Sequence, residues 1–281
     1  MTSAQLINGL ELGLLYSLVA MAVYLTFRVI NFADLTVDGS FPLGAAVMAV
    51  LLSKGWHVAP ALAAAFASGM AAGAFTGYLN VHYKIMEILA GILVMTALYS
   101  INLRVMGRPN IALMDLDLSI NFVRSTMLAT VACVMIGLVW FLHTELGLAV
   151  RAIGQNPLLA SSLGINVGRM KILGLSLSNG LVALSGGLFA MMQGFADIGI
   201  GTGTIIVGLA SVIIGEKLLN SRSITLAVIA CLCGSIAYRL TITFALNLDV
   251  LRLEPSDLNL VSSGLVTLAL ALPLYYKKIR G

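Results

Sequence analysis

The chain has 281 residues, of which 59 % are hydrophobic and 10 % charged, and its mean hydropathy is +1.01. That composition excludes an ordinary soluble domain, because apolar runs of about twenty residues recur along the whole length. The net charge of +4 is carried by Lys and Arg between or at the ends of apolar runs, so the basic balance reports membrane orientation and not nucleic-acid binding.

Hydropathy predicts an all-α polytopic membrane protein, one transmembrane domain over 1–281. Nine spans are expected at 6–27, 36–53, 58–80, 85–105, 125–143, 171–193, 201–219, 223–245 and 259–276. The first is read as a retained span and not a cleavable signal, since the first basic residue is Arg28. Cys133, Cys231 and Cys233 all fall in apolar runs, as packing residues and not a disulfide framework. With the N-terminus outside, the inner face holds ten of the sixteen Lys and Arg, including Arg28, Lys84, Arg151, Arg169 and the three at the C-terminus. The outer face holds six, which favours this orientation.

The motif Phe-Ala-Asp occurs twice, in Asn31-Phe-Ala-Asp-Leu-Thr-Val-Asp-Gly before the second span and in Gly194-Phe-Ala-Asp-Ile-Gly-Ile-Gly before the seventh. Each copy follows a long span and opens a shorter, Gly-rich one. The expected organisation is therefore four spans over 6–105, a connecting span at 125–143 and four more over 171–276. An odd connector inverts the second copy, the sequence trace of a repeat in which broken helices meet near the midplane.

Asp34, Asp38, Pro42 and Asp197 sit where a continuous lipid-facing helix would avoid them. Three readings stay open for the acids: capping of the short helices, lining of a solute path, or pairing with an arginine. The sixth span carries Ser176, Ser178, Asn179, Ser185 and Gln193 among glycines, a pattern suited to close helix packing, with Asn179 the strongest candidate for solute contact. The candidate path is thus Asn31, Asp34, Asp38, Asn179, Gln193 and Asp197. Asn102, Arg104 and Arg108 end the fourth span, either snorkelling to the outer interface or docking an acidic partner; Arg124 and Arg252 also fall outside.

Between the fifth and sixth spans, residues 146–170 form a polar, helix-forming island. Asn156 reads as an N-cap, Pro157 as the first helical residue, and Gly164 as the stop after Leu163. In the assigned orientation this loop is cytoplasmic.

Catalytic constellations are missing from the sequence. It contains no Gly-x-x-x-x-Gly-Lys-Ser/Thr phosphate loop, no Gly-x-Ser-Gly and no His-Glu-x-x-His. His57, His82 and His143 are scattered at span ends, as interfacial residues.

Asn8-Gly-Leu, the run Leu25 to Ser40, the run Ala90 to Asn110 and the loop Arg151-Ala-Ile-Gly-Gln-Asn-Pro through Gly164-Ile-Asn resemble permeases of ABC importers of the ribose and branched-chain amino acid type. The resemblance covers essentially the whole chain and is strongest to a branch often assigned to tryptophan and tyrosine import. Ile30 to Gly39 combines elements of an Ile-Asn-Phe-Ala-His-Gly motif and an Asp-Leu-Ser-Val-Gly motif found in different members. The resemblance implies a bacterial cytoplasmic-membrane permease without its own ATPase. Two separate ATPase subunits would hold ATP and Mg, and an extracytoplasmic solute-binding protein would deliver a small polar solute such as an amino acid. A second copy of the chain would complete a path at the dimer axis. Arg151, Gly154, Asn156, Pro157, Ala160, Leu163 and Gly164 would couple to the ATPase, and Arg104, Arg108, Arg124 and Arg252 would receive the binding protein. The alternative is a carrier driven by an ion gradient through Asp34, Asp38 or Asp197, which explains the acids and the repeat but leaves the polar loop without a task.

Overall fold

A computed structural model describes residues 3–113, 119–219 and 223–246, with Gly264 and Thr267. The chain folds into a bundle of long helices in the expected order. α1 (Ser3–Val23) runs on through a π-helical segment, Tyr24–Ile30, and is followed by α2 (Val37–Ser53), α3 (Val58–Tyr83), α4 (Glu87–Met106) and α5 (Ile120–His143). After α6 (Glu145–Gln155) and α7 (Pro157–Ser162) come α8 (Val167–Gln193), α9 (Thr204–Leu219) and α10 (Ile224–Leu246). Seven segments are long and apolar enough to cross a membrane, and α2 is a shorter apolar helix, so the protein is a multi-pass membrane protein. The predicted ninth span, 259–276, lies outside the described residues but for Gly264 and Thr267, and Arg252 lies outside them too.

Two features depart from the sequence expectation. The polar loop is more helical than one short turn: Thr144 starts α6 by accepting the Gly147 N–H at 3.3 Å, ahead of the Asn156 cap. The bundle is also not wholly helical. β1 (Asn110–Ala112) pairs antiparallel with β2 (Phe195–Asp197), Asn110 opposite Asp197, so the segment after α4 is tied to the segment after α8.

α1 and α8 form the centre. In each, 78 % of the apolar window is buried, against 22 % in α5, which leaves α5 to face lipid or a neighbouring subunit. The neighbours of this central pair come in exchanged sets. α3 packs on α8 as α10 packs on α1; α2 packs on α8 as α9 packs on α1; and α2 lies on α3 as α9 lies on α10.

Close approach rests on small residues, because in lipid helix association is driven by packing and interhelical hydrogen bonds. A Cβ on Gly44 would collide with the Ala183 carbonyl, and one on Gly186 with the Phe41 carbonyl, so α2 and α8 notch into each other. The hydroxyls predicted on the sixth span act as glue. Ser178 Oγ donates to the Ala22 carbonyl at 2.9 Å, Ser185 Oγ to Leu15 at 3.0 Å and Ser176 Oγ to Met70 at 2.9 Å. Ser235 Oγ adds a bond from α10 to the Gly13 carbonyl at 2.7 Å.

Candidate functional site

The predicted path residues fall into three places, of which the most internal is built on Asp34. This carboxylate is 0 % exposed. Its Oδ1 accepts the Thr36 N–H at 2.9 Å, and its Oδ2 accepts from Asn179 Nδ2 at 2.6 Å. Ser40 Oγ donates to Asn179 Oδ1 at 2.7 Å, and Asn179 Nδ2 also reaches the Leu175 carbonyl at 3.0 Å. Thr36 and Thr76 hydroxyls stand 2.7 Å apart beside them. Asn179 can enter this cluster because Gly69 and Gly73 of α3 let its backbone approach. Asp34 and Asn179 are therefore partners in one buried polar network that joins α2, α3 and α8, and no arginine pairs with Asp34 among the described residues.

Asp38 belongs to a different place, where the two short helices meet. It lies in the first turn of α2, yet its oxygens accept the Gly203 N–H at 3.1 Å and the Ile205 N–H at 2.8 Å. These are orphan donors at the start of α9, so the acid of one short helix caps the other. Pro42 has no N–H to give the Asp38 carbonyl, which is left against the α-carbon of Gly201.

The two Phe-Ala-Asp copies share a local structure. Each follows a left-handed residue that ends a long helix, Asn31 with φ 58° and Gly194 with φ 74°. Each aspartate then accepts the N–H two residues on: Asp34 Oδ1 from Thr36, and Asp197 Oδ1 from Gly199 at 2.7 Å. Asp197 Oδ2 accepts from Asn110 Nδ2 at 3.3 Å, across the small ribbon. Gln193 is nearby at the end of α8, whereas Asn31 is exposed at the end of α1.

At the other end of the bundle, α7 has the predicted start and stop. Asn156 Oδ1 accepts the Leu158 and Leu159 N–H at 3.1 and 3.0 Å, and Pro157 occupies the first turn. Gly164 has φ +83°; its N–H bonds to Ser161, and the Ile165 N–H reaches the Ala160 carbonyl, both at 3.0 Å, which is a Schellman closure. The residues divide by facing. Leu158, Leu159 and Leu163 are 84 %, 57 % and 71 % exposed, while Ala160 is 2 % exposed and turned inward. Gly154 also packs within the bundle, against the Val29 carbonyl in the π-helical end of α1. Arg151 stands beside Arg28 and Glu216, which pair at 2.5 Å, around a cavity of about 300 Å³.

Of the four arginines predicted to face a partner, Arg104 and Arg108 are exposed. Arg124 is engaged within the chain, its Nε 2.5 Å from Glu11 Oε1. Asn102, grouped with them in sequence, turns inward instead: it is 0 % exposed and its Nδ2 donates to the Gly39 carbonyl at 3.3 Å. Ser40, Thr76 and Thr36 were missed by sequence reasoning. Their only signal was a hydroxyl among Gly, Ala and aliphatic residues, which many packing positions share.

Residues 5–271 match the family described as branched-chain amino acid transport system / permease component. A tyrosine transport system permease protein of Clostridioides difficile (strain R20291) is 39 % identical over 269 residues, 95 % of this chain and 90 % of that protein. An uncharacterised protein of Rickettsia prowazekii (strain Madrid E) is 34 % identical over 91 % of this chain and 93 % of its own length. Among solved structures, PsaBC from Streptococcus pneumoniae in complex with Fab has a similar fold, with TM-score 0.57 at 15 % identity over 93 % of this chain and 89 % of that one. The chain belongs to the branched-chain amino acid transport permease family and is the permease component of an ABC-type transporter.

Proposed function

We propose that this permease imports an amino acid across the bacterial cytoplasmic membrane, using ATP hydrolysed on two separate subunits. The observation that carries this reading is α7: a rigidly capped helix that presents Leu158, Leu159 and Leu163 outward, at the end of the bundle that the Lys and Arg distribution assigns to the cytoplasm. An exposed apolar ridge on a polar loop serves a groove in a partner. Asn156, Pro157 and Gly164 set its shape, and Gly154 and Ala160 hold it to the permease. Arg151 lies where α6 meets the end of α1, so movement of the loop is passed to a central helix.

An inverted repeat of four, one and four spans is supported by the exchanged packing sets and by the matched turns at Phe32 to Asp34 and Phe195 to Asp197. In that arrangement the two short helices meet within the membrane, and two copies of the chain enclose the path. An extracytoplasmic binding protein delivers the solute to the face that carries Arg104 and Arg108. The substrate class follows the tyrosine permease relative: an amino acid with an aromatic side chain. An ion-driven carrier has less support, because the oxygens of Asp34, Asp38 and Asp197 are engaged in bonds that shape the fold.

The test is purification of the tagged chain after mild solubilisation, followed by reconstitution with the proteins that accompany it. Co-elution of an ATPase and ATP-dependent uptake of labelled L-tyrosine are expected. Uptake driven by a proton or sodium gradient without ATP would decide for the carrier.

A further inference from the structure

Arg151 carries a charge that the fold leaves unmatched. It is half-buried in α6 and lines the cavity of about 300 Å³ where α6 meets the end of α1, the end of α9 and the start of α10. Among the described residues no hydrogen bond or ion pair holds its guanidinium. The second cation on this cavity is Arg28, whose Nη2 pairs with Glu216 Oε2 at 2.5 Å while its Nε and Nη1 make no bond among the described residues. Tyr24, Arg28 and Val29 reach the cavity together because the end of α1 is π-helical: bonds from i to i+5 widen the turn and bring residues four and five apart onto one face.

The remaining polar groups on the wall are also donors. Ser223 Oγ accepts the Leu226 N–H at 3.2 Å, so its own hydrogen is free to be given, and the Gln155 amide is unbonded among the described residues. Two guanidinium groups, an amide and a hydroxyl thus converge on one space against a single carboxylate, which Arg28 already occupies. A charge held half out of water beside another of the same sign is destabilising until an anion joins them. Guanidinium forks match phosphate oxygens two at a time. The depth fits such a group, because three membrane-crossing segments have their ends here: one stops at Ile30, one stops at Leu219 and one starts at Ile224. Leu218, Leu219 and Leu226 on those ends are exposed, so a basic cavity at headgroup level borders apolar surface suited to acyl chains.

We infer that this cavity is a phosphate site at the membrane surface, in which Arg151 and Arg28 hold the headgroup phosphate of an anionic phospholipid or, from the solution side, a free phosphate ion. The inference rests on the reading above only for its cytoplasmic sidedness. It gives Arg151 a partner: a bound phosphate ties α6, and with it the loop that carries α7, to the ends of α1, α9 and α10.

The experiment uses the full chain in a maltoside detergent and phosphate-free buffer, with Cys133, Cys231 and Cys233 changed to Ser and Ser223→Cys as reporter on the cavity wall. An anionic sulfonatoethyl methanethiosulfonate should modify the reporter about tenfold faster than the cationic trimethylammonioethyl reagent, since the cavity concentrates anions. Dioleoyl-phosphatidylglycerol should remove that difference, and dioleoyl-phosphatidylcholine, whose choline offsets the phosphate charge, should act far more weakly. Removal of the difference by millimolar inorganic phosphate, but not by phosphatidylglycerol or by sodium chloride of equal ionic strength, would assign the site to the free ion. Phosphatidylglycerol binding counted by native mass spectrometry should weaken at least about tenfold in Arg151→Gln. Glu216→Gln, which releases Arg28, should tighten it, whereas a purely structural ion pair would make binding looser. Lys84→Gln, outside this cavity, should leave binding unchanged. Equal rates for the two reagents, rates untouched by both lipid and phosphate, or equal losses in Lys84→Gln and Arg151→Gln would each overturn the site. So would loss of ATPase co-elution in Arg151→Gln with lipid binding intact, because the guanidinium would then serve a carboxylate on that subunit. None of these readouts needs transport, so a failure of ATP-dependent uptake counts against the importer reading alone.

Discussion

The amide of Asn179 has both ends engaged by three partners, so its replacement has consequences on two helices at once. Asn179→Leu removes the donor to Asp34 Oδ2 and the acceptor for Ser40 Oγ, and leaves a fully buried carboxylate with one fewer partner. An unmet buried polar group costs about 1–3 kcal/mol, and more when it is charged. The variant should lose monodisperse protein in a detergent thermal-stability assay, and Asp34→Asn should also lose stability, because its single amide oxygen can accept from Asn179 or from the Thr36 N–H but not from both. The double variant Asp34→Leu with Asn179→Leu should be less damaging than the two single effects added, as expected for residues in contact; strict additivity would deny the pair. A second contrast uses glycines. Gly186→Ala would force Cβ into the Phe41 carbonyl, at a cost of about 1–3 kcal/mol for overpacking. Gly137→Ala meets nothing within 4 Å and should be neutral or gain up to about 1 kcal/mol from helix propensity. Equal melting shifts for the two variants would contradict the tight α2–α8 crossing.

Among the elements, α7 was legible in the sequence almost residue for residue, because capping is local chemistry: Asn, Pro and Gly at fixed offsets satisfy their own helix ends. Its facing was less legible. Ala160 lies within the predicted coupling helix but turns inward, which six residues of helix do not reveal without the neighbouring α6 and α8. Asp38 shows the same limit more strongly. The sequence supports a cap at that position, yet the helix it caps is α9, more than 160 residues away, and no local pattern encodes that choice. For α7 the expected outcome follows from backbone geometry. Gly164 adopts φ +83°, where an L side chain is strained by about 1–2 kcal/mol, and a carboxylate there would also repel the exposed carbonyl end of the helix. Gly164→Asp should therefore leave the permease inserted and folded while abolishing ATP-dependent uptake and weakening ATPase co-elution. Gly164→Asn, which tolerates the left-handed region, should keep most of both. Normal uptake by Gly164→Asp would remove α7 from energy coupling.

At the scale of the whole molecule, the exchange of α3–α8 with α10–α1 and of α2–α8 with α9–α1 relates the two groups of helices that flank α5. Hydropathy anticipated the order of these helices but not their pairing, since lipid-facing and protein-facing positions are alike apolar and carry no periodic contrast. The repeated Phe-Ala-Asp is the sequence feature on which the proposed repeat rests. Its two aspartates make the same i to i+2 turn after a left-handed residue, which chance recurrence of a tripeptide would not require. If the groups are inverted, an odd number of crossings separates equivalent points, and accessibility from the two sides of the membrane is fixed. In a background lacking Cys133, Cys231 and Cys233, single cysteines at Ser53 and Asn121 should react with an impermeant thiol reagent applied to intact cells. Cysteines at Ser162 and Ser223 should react only after the cells are opened. All four positions are exposed, so a failure to react reports sidedness and not burial. Labelling of Ser223 from outside while Ser162 stays protected would place an odd number of crossings where α8 and α9 require two, and the inversion would be broken by a span gained or lost.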